Sequence, residues 1–231
     1  MDILEQTNPN KNKWISFLAD GVLSGLMLGI GGMVSLSSEN RFLGAFLFSL
    51  GLFCIVQFKY GLFTGKVGYI VNRDLPYVAE TAVTLVGNAL GTLIAALLLR
   101  QVRFFTSTVS TMDVTISDRV QATVAGKIHD NPLSIFILAI FCGILMFTAV
   151  EGSRKCKEEK NFAGSLFVVV MPVMVFIICG FNHCIADMFY YFFAGCPEPS
   201  KAIVYFILAI AGNSVGGMIV PLLKKLSNQP L

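Results

Sequence analysis

The chain has 231 residues, 55% hydrophobic and only 13% charged, with a formal net charge of +3 and a mean hydropathy of +0.73. Soluble domains carry about 25% charged residues, so this composition excludes a water-soluble domain and makes the lipid bilayer the chain's first partner. Its basic residues form no stripe, which excludes nucleic acid as a partner.

Residues 1–13 are polar and form a short N-terminal segment. An apolar run then begins with no small-residue cleavage site, so it reads as a retained first span rather than a signal peptide. Runs long enough to cross the hydrocarbon, about 20 residues each, fall at 14–36, 41–72, 77–100, 132–151, 161–194 and 201–223. The polar stretch 101–131, with Thr106, Ser107, Thr108 and Ser110, reads as a surface loop outside the cell. It divides one channel-like domain, 14–224, into halves 14–100 and 132–224, and a tail follows at 225–231.

The second and fifth spans are interrupted, one at Tyr60-Gly61-Leu62-Phe63-Thr64-Gly65-Lys66 and the other at Gly180-Phe181-Asn182-His183-Cys184. A membrane helix can break only where protein or a wet cavity satisfies the freed backbone groups. Paired interruptions in corresponding places of two halves therefore point to a solute path. The span after each break repeats a motif, Gly87-Asn88-Ala89-Leu90-Gly91 and Gly212-Asn213-Ser214-Val215-Gly216. Three spans per half make the second copy run upside down. The expected fold is an all-α membrane protein of six transmembrane helices, two inverted three-helix repeats with helices 2 and 5 broken. Lys11, Lys13, Lys66, Arg73, Arg154, Lys155, Lys157, Lys160, Lys224 and Lys225 share the side of the termini, ten against six on the other. Basic excess marks the cytoplasmic side, which places both termini there.

The six cysteines form no Cys-x-x-Cys and no zinc spacing, so neither metal nor cofactor is expected. His183 is an ionisable group at membrane depth, where charge is costly. It can be neutral or take a proton near neutral pH, and so could attract a weak-acid anion or hand it a proton. A histidine bonded between helices is the competing reading. Thr64, at the other break, can hydrogen-bond to an anion or to His183 across the pseudo-two-fold axis, or simply cap a helix. Lys127, just before span four, would concentrate anions in a vestibule, or be a solvated loop lysine. Phe48, Leu52, Phe63 and Phe176 could form constrictions that gate by dewetting, with packing against lipid as the alternative.

Together these elements resemble the formate/nitrite transporter family over nearly the whole chain. Leu62-Phe63-Thr64 is similar to that family's first break. Gly180-Phe181-x-His183-x-Ile185-Ala186-x-Met188 is similar to its second, Gly212-Asn213-x-x-Gly216-Gly217 to its last-span motif, and Lys127-x-His129 to its lysine before span four. The resemblance implies an aquaporin-like protomer in a homopentamer, each protomer with its own pore for small monovalent anions such as formate, nitrite, lactate or hydrosulfide. It gives His183, Thr64 and Lys127 pathway roles and Phe48, Leu52, Phe63 and Phe176 constriction roles. The chain also departs from the pattern. The family's acid before Leu-Phe-Thr is Gly61, its Glu before the histidine is Asn182, and its Asn four residues after is Asp187. An Asn of span four is Phe147, and Lys66 replaces a small or amide residue. Lys59, Lys66, Phe147, Asn182 and Asp187 are therefore candidates for tuning selectivity. Lys59 or Lys66 is expected to pair with Asp187, because an unpaired charge at this depth is costly; snorkelling lysines are the alternative.

The reading that follows is a channel or transporter for small monovalent anions of weak acids, passive or proton-linked, in the cytoplasmic membrane of a prokaryote. A pore for ammonia, water or undissociated acid on the same architecture is the alternative, although the paired Asn-Pro-Ala boxes of an aquaporin are absent. No Gly-x-Ser-Gly, His-Glu-x-x-His or paired membrane aspartates mark an enzyme.

Overall fold

The computed structural model describes residues 13–109 and 113–228; Lys11 and Ser110 of the reading above lie outside them. Helix α1 spans Lys13–Ser37 and α2 spans Arg41–Gln57. Asn40 starts α2 by accepting from the backbone N–H groups of Phe42 and Leu43, two of the donors that a helix start leaves free. After the first break, the single turn α3, Phe63–Lys66, runs into a 3₁₀ helix at Val67–Asn72. Helix α4, Leu75–Leu99, closes the first half. The second half has α6 (Pro132–Glu158), α7 (Phe162–Cys179), α8 (Cys184–Phe193) and α9 (Pro199–Leu226). Among the described residues five helices are long and apolar enough to cross a membrane, and α2 and α8 are shorter apolar ones. The chain is an integral membrane protein.

The connection at 101–131 is more than a loop. It carries a 3₁₀ turn at Arg103–Thr106 and a short antiparallel pair, β1 (Thr108–Val109) with β2 (Val114–Thr115), in which Thr108 faces Thr115. Helix α5, Ile116–Ile128, follows. Thr115 and Asp118 form a reciprocal capping box at its start, and Ile116, Val120, Val124 and Ile128 are buried on one stripe. A four-residue spacing of apolar residues is an amphipathic helix, which is too polar on average to stand out as a span. Helix α6 also runs beyond the expected end at 151. Arg154 holds Glu151 and Glu158 at helical spacing, and such pairs support helix outside the hydrocarbon.

The halves pack alike. Helix α1 lies on α4 as α6 lies on α9, while α8 packs on α4 and the 3₁₀ segment of the first half packs on α9. Each broken element thus leans on the last helix of the opposite half, a pattern consistent with two inverted repeats. Glycine makes the close crossings possible. A Cβ on Gly91 would strike the carbonyl of Val22, and one on Gly216 the carbonyl of Ile140, so the repeated glycine is required by backbone contact in both copies.

Candidate functional site

The two breaks are built by the same bonds. Helix α2 ends with Lys59 at φ 59°, and the N–H of Tyr60 reaches back to the carbonyl of Ile55 at 2.9 Å. Helix α7 ends with Gly180 at φ 71°, and the N–H of Phe181 reaches back to Phe176 at 2.9 Å. Both are left-handed helix terminations of the kind that normally uses glycine. One asparagine then holds the strand-like residues of each break. Asn88 accepts from the N–H of Phe63 at 2.9 Å and donates to the carbonyls of Gly21 and Gly61 at 2.9 and 2.8 Å. Asn213 accepts from Cys184 at 2.9 Å and donates to Ala139 and Asn182, both at 2.8 Å. The freed backbone groups are therefore met by a side-chain amide, as the absence of water in a bilayer demands.

His183 and Thr64 meet at the centre. His183 caps α8, its Nδ1 accepting the N–H of Ala186 at 3.1 Å. In the neutral ring the proton is then on Nε2, which lies 3.0 Å from Thr64 Oγ1 and donates to it. The imidazole also stacks on Phe176, ring centres 5.5 Å apart, and Phe176 meets the edge of Phe48 at 5.7 Å. Phe48, Leu52, Leu62, Phe63, Thr64, Phe176 and His183 are all buried.

A cavity approaches this septum from each side. The first, about 420 Å³, is lined by Arg41, Arg119, Lys127, Phe176, Asp187 and Tyr190 among others. The second, about 430 Å³, is lined by Lys59, Leu62, Gly65, Lys66, Arg154 and Lys157 among others. A continuous series of contacts joins them: Phe176 at the floor of the first, His183 beneath it, Thr64 bonded to His183, and Gly65 at the edge of the second. Cations outnumber carboxylates in both cavities, Arg41, Arg119 and Lys127 against Glu39 and Asp187 in the first and Lys59, Lys66, Arg154 and Lys157 alone in the second, and the septum is mostly apolar.

Arg119, Arg41 and Lys157 of the cavities, and Arg100 outside them, are held in place by helix ends. Arg119 bonds the carbonyls of Leu36 and Ser38 at the end of α1, and Arg41 those of Ile177 and Ile178 at the end of α7. Lys157 donates to Val56 near the end of α2 at 2.8 Å, and Arg100 to Phe193 at the end of α8 at 3.3 Å. Carbonyls at a helix C-terminus have no partner within the helix and carry partial negative charge. Each cation satisfies such a group while keeping its own charge.

The remaining expected residues fall in three places. Lys127 reaches inward from α5: its Nζ donates to Asn182 at 2.8 Å and pairs with Asp187 at 3.1 Å. The second carboxylate oxygen of Asp187 accepts from Tyr205 at 2.6 Å. The expected pairing of Asp187 with Lys59 or Lys66 is therefore wrong. Those lysines line the second cavity and Asp187 the first, because the septum separates them. Lys59 is exposed, while Lys66 donates to Thr84 at 3.3 Å and sits over the rings of Phe17 and Tyr77 at 4.6 and 5.5 Å. Phe147 lines neither cavity; it is buried against Tyr69, ring centres 5.2 Å apart, and against Gly68. Arg41, Arg119 and Tyr205 had no signal in the sequence. Asn88 and Asn213 did have one, an amide repeated at membrane depth, where a polar group needs a partner.

A family model described as formate/nitrite transporter matches residues 5–225. The chain is 26% identical over 192 residues to the formate channel FocA of Haemophilus influenzae, covering 78% of this chain and 66% of that protein. It is 27% identical over 225 residues to the uncharacterized transporter YrhG of Bacillus subtilis, covering 88% and 81%. A solved pentameric formate channel with formate bound superposes with a TM-score of 0.75 at 22% identity, covering 95% of this chain and 99% of that one.

Proposed function

The chain belongs to the formate/nitrite transporter family, and from that premise we propose that it is a membrane channel for small monovalent anions of weak acids, with formate and nitrite as the first to test. It is a transport protein and not an enzyme. The observation that carries this reading is a buried apolar septum with a cation-lined cavity on each side. Cationic clefts in a low-dielectric wall raise the local concentration of anions. A septum of aromatic and aliphatic side chains excludes water and large ions. Support for a homopentamer comes from the solved relative, which is pentameric. The basic excess around Lys59, Lys66, Arg154 and Lys157 supports a reading in which the second cavity and both termini face the cytoplasm and the chain lies in the cytoplasmic membrane.

An anion entering the first cavity passes Arg41, Arg119 and Lys127, loses water at Phe176 and Phe48, and meets Thr64 and His183. The Nε2–H of His183 occupies the oxygen of Thr64, which leaves the Thr64 hydroxyl proton to replace part of the anion's hydration, and Leu62 and Gly65 lead to the second cavity. Nδ1 of His183 is occupied by the N–H of Ala186. Protonating it would set two N–H groups against each other and release the start of α8. His183 therefore serves as a hydrogen-bond donor, and proton transfer to the permeant is not required of it.

Uptake by proteoliposomes tests both parts. Saturable uptake of formate and nitrite, with little of glycerol or ammonia, is expected; glycerol or ammonia flux without anion flux would replace the reading by a neutral-solute pore. His183→Asn keeps a cap and a donor, so its uptake should follow the same pH profile as the parent at a reduced rate. A profile that flattens would restore the proton-donor role.

A further inference from the structure

Two side chains of the second break converge on a single ammonium. Lys127 Nζ has Asn182 Oδ1 at 2.8 Å and Asp187 Oδ1 at 3.1 Å. Asn182 immediately precedes His183, and Asp187 stands four residues after it, in the first turn of α8. Asp187 is fixed from behind by Tyr205 of α9 at 2.6 Å, and the amide nitrogen of Asn182 donates to Ile135 of α6 at 3.2 Å. The ammonium is thus tied to three helices through two short side chains. Its side chain is 18% exposed and that of Asp187 is 5% exposed. Arg41, Arg119 and Glu39 line the same cavity, so without Asp187 three cations would share it with a single carboxylate that does not bond Lys127 Nζ. A carboxylate as buried as that of Asp187 needs a paired and hydrogen-bonded partner.

We infer that Asp187 is the positioning residue for Lys127. It holds the ammonium at the floor of the first cavity in a neutral pair, so an arriving anion meets a cation it can share but not one that traps it. The inference rests on the conduction reading above and assigns the mouth of that same path. It also makes a geometric statement: because residues 182 and 187 touch the same Nζ, a carboxylate at either position can neutralise it.

The test uses the full chain, purified and reconstituted, with formate and nitrite uptake and the melting temperature in detergent as readouts. Asp187→Asn leaves Lys127 without a counter-charge; close charge pairs couple strongly, so the half-saturating anion concentration should fall about tenfold, with a lower maximal rate. The exchange variant, Asn182→Asp with Asp187→Asn, should bring both values back to within about threefold of the parent, the residual reflecting the lost bond to Ile135. An unchanged half-saturation in Asp187→Asn overturns the inference, as does an exchange variant no better than the single one. If Asp187→Asn yields no folded protein, folded protein from the exchange variant supports the inference and its absence overturns it. A parent that takes up neither anion, while the exchange variant regains the melting temperature lost in Asp187→Asn, sinks the conduction reading and leaves the charge exchange standing.

Discussion

At the scale of single residues, the site depends on side chains that complete backbone bonding rather than on reactive groups. Asn88 and Asn213 each make three hydrogen bonds to broken-helix or neighbouring backbone. Asn213→Leu keeps the branched shape but strands the N–H of Cys184 and the carbonyl of Asn182. A buried unsatisfied group costs about 1–3 kcal/mol, so a clearly lower melting temperature in detergent is expected, and a variant as stable as the parent would show that the break is held by other contacts. Thr64→Val removes the acceptor of His183 Nε2 without changing shape. Anion uptake should fall at least tenfold for the loss of about 1.4 kcal/mol, read as rate per folded protomer. The sequence pointed to His183 and Thr64 through the breaks on which they lie. It left Lys127 between a solvated lysine and a vestibule lysine, since no spacing reveals that α5 turns its last basic residue inward to Asp187 and Asn182. The mistaken pairing of Lys59 or Lys66 with Asp187 has the same origin: charge balance names the need for a partner, and only distance chooses it.

At the scale of elements, both breaks use the same left-handed termination with different residues, Gly180 in one half and Lys59 in the other. A non-glycine residue there pays about 1–2 kcal/mol for its Cβ. Lys59→Gly should therefore stabilise the protein, by about 2–4 °C in melting temperature for each kcal/mol in a chain of this size. A fall in melting temperature would mean that the lysine side chain contributes more than its backbone costs. The breaks were legible because a polar, glycine-bearing interruption is abnormal inside an apolar run. Helix α5 was not, because its apolar stripe of Ile116, Val120, Val124 and Ile128 is diluted by charged neighbours. The extension of α6 past 151 was also hidden, since its last turns are charged rather than apolar and are held by the Arg154 pairs with Glu151 and Glu158.

At the scale of the whole molecule, electrostatics and topology act together. Basic residues that finish the C-termini of α1, α2 and α7 line the two cavities, so the helix ends and the cavities share the same charges. Exposed charge is screened over about 30 Å at 0.01 M salt and about 10 Å at 0.1 M. Uptake at subsaturating formate should therefore slow as a non-permeant salt such as sodium gluconate is raised over that range, while the maximal rate changes less; salt-independent uptake would show that the cavity charges do not guide entry. Hydropathy, the paired breaks and the repeated Gly-Asn-x-x-Gly were enough to determine an all-helical membrane chain with two interrupted segments braced by asparagines, because the bilayer forbids unsatisfied backbone and leaves few ways to fold such a pattern. The tertiary structure alone decided which charges neutralise one another and which aromatic rings meet His183 and which pack elsewhere, because those are set by distances between helices far apart in the chain.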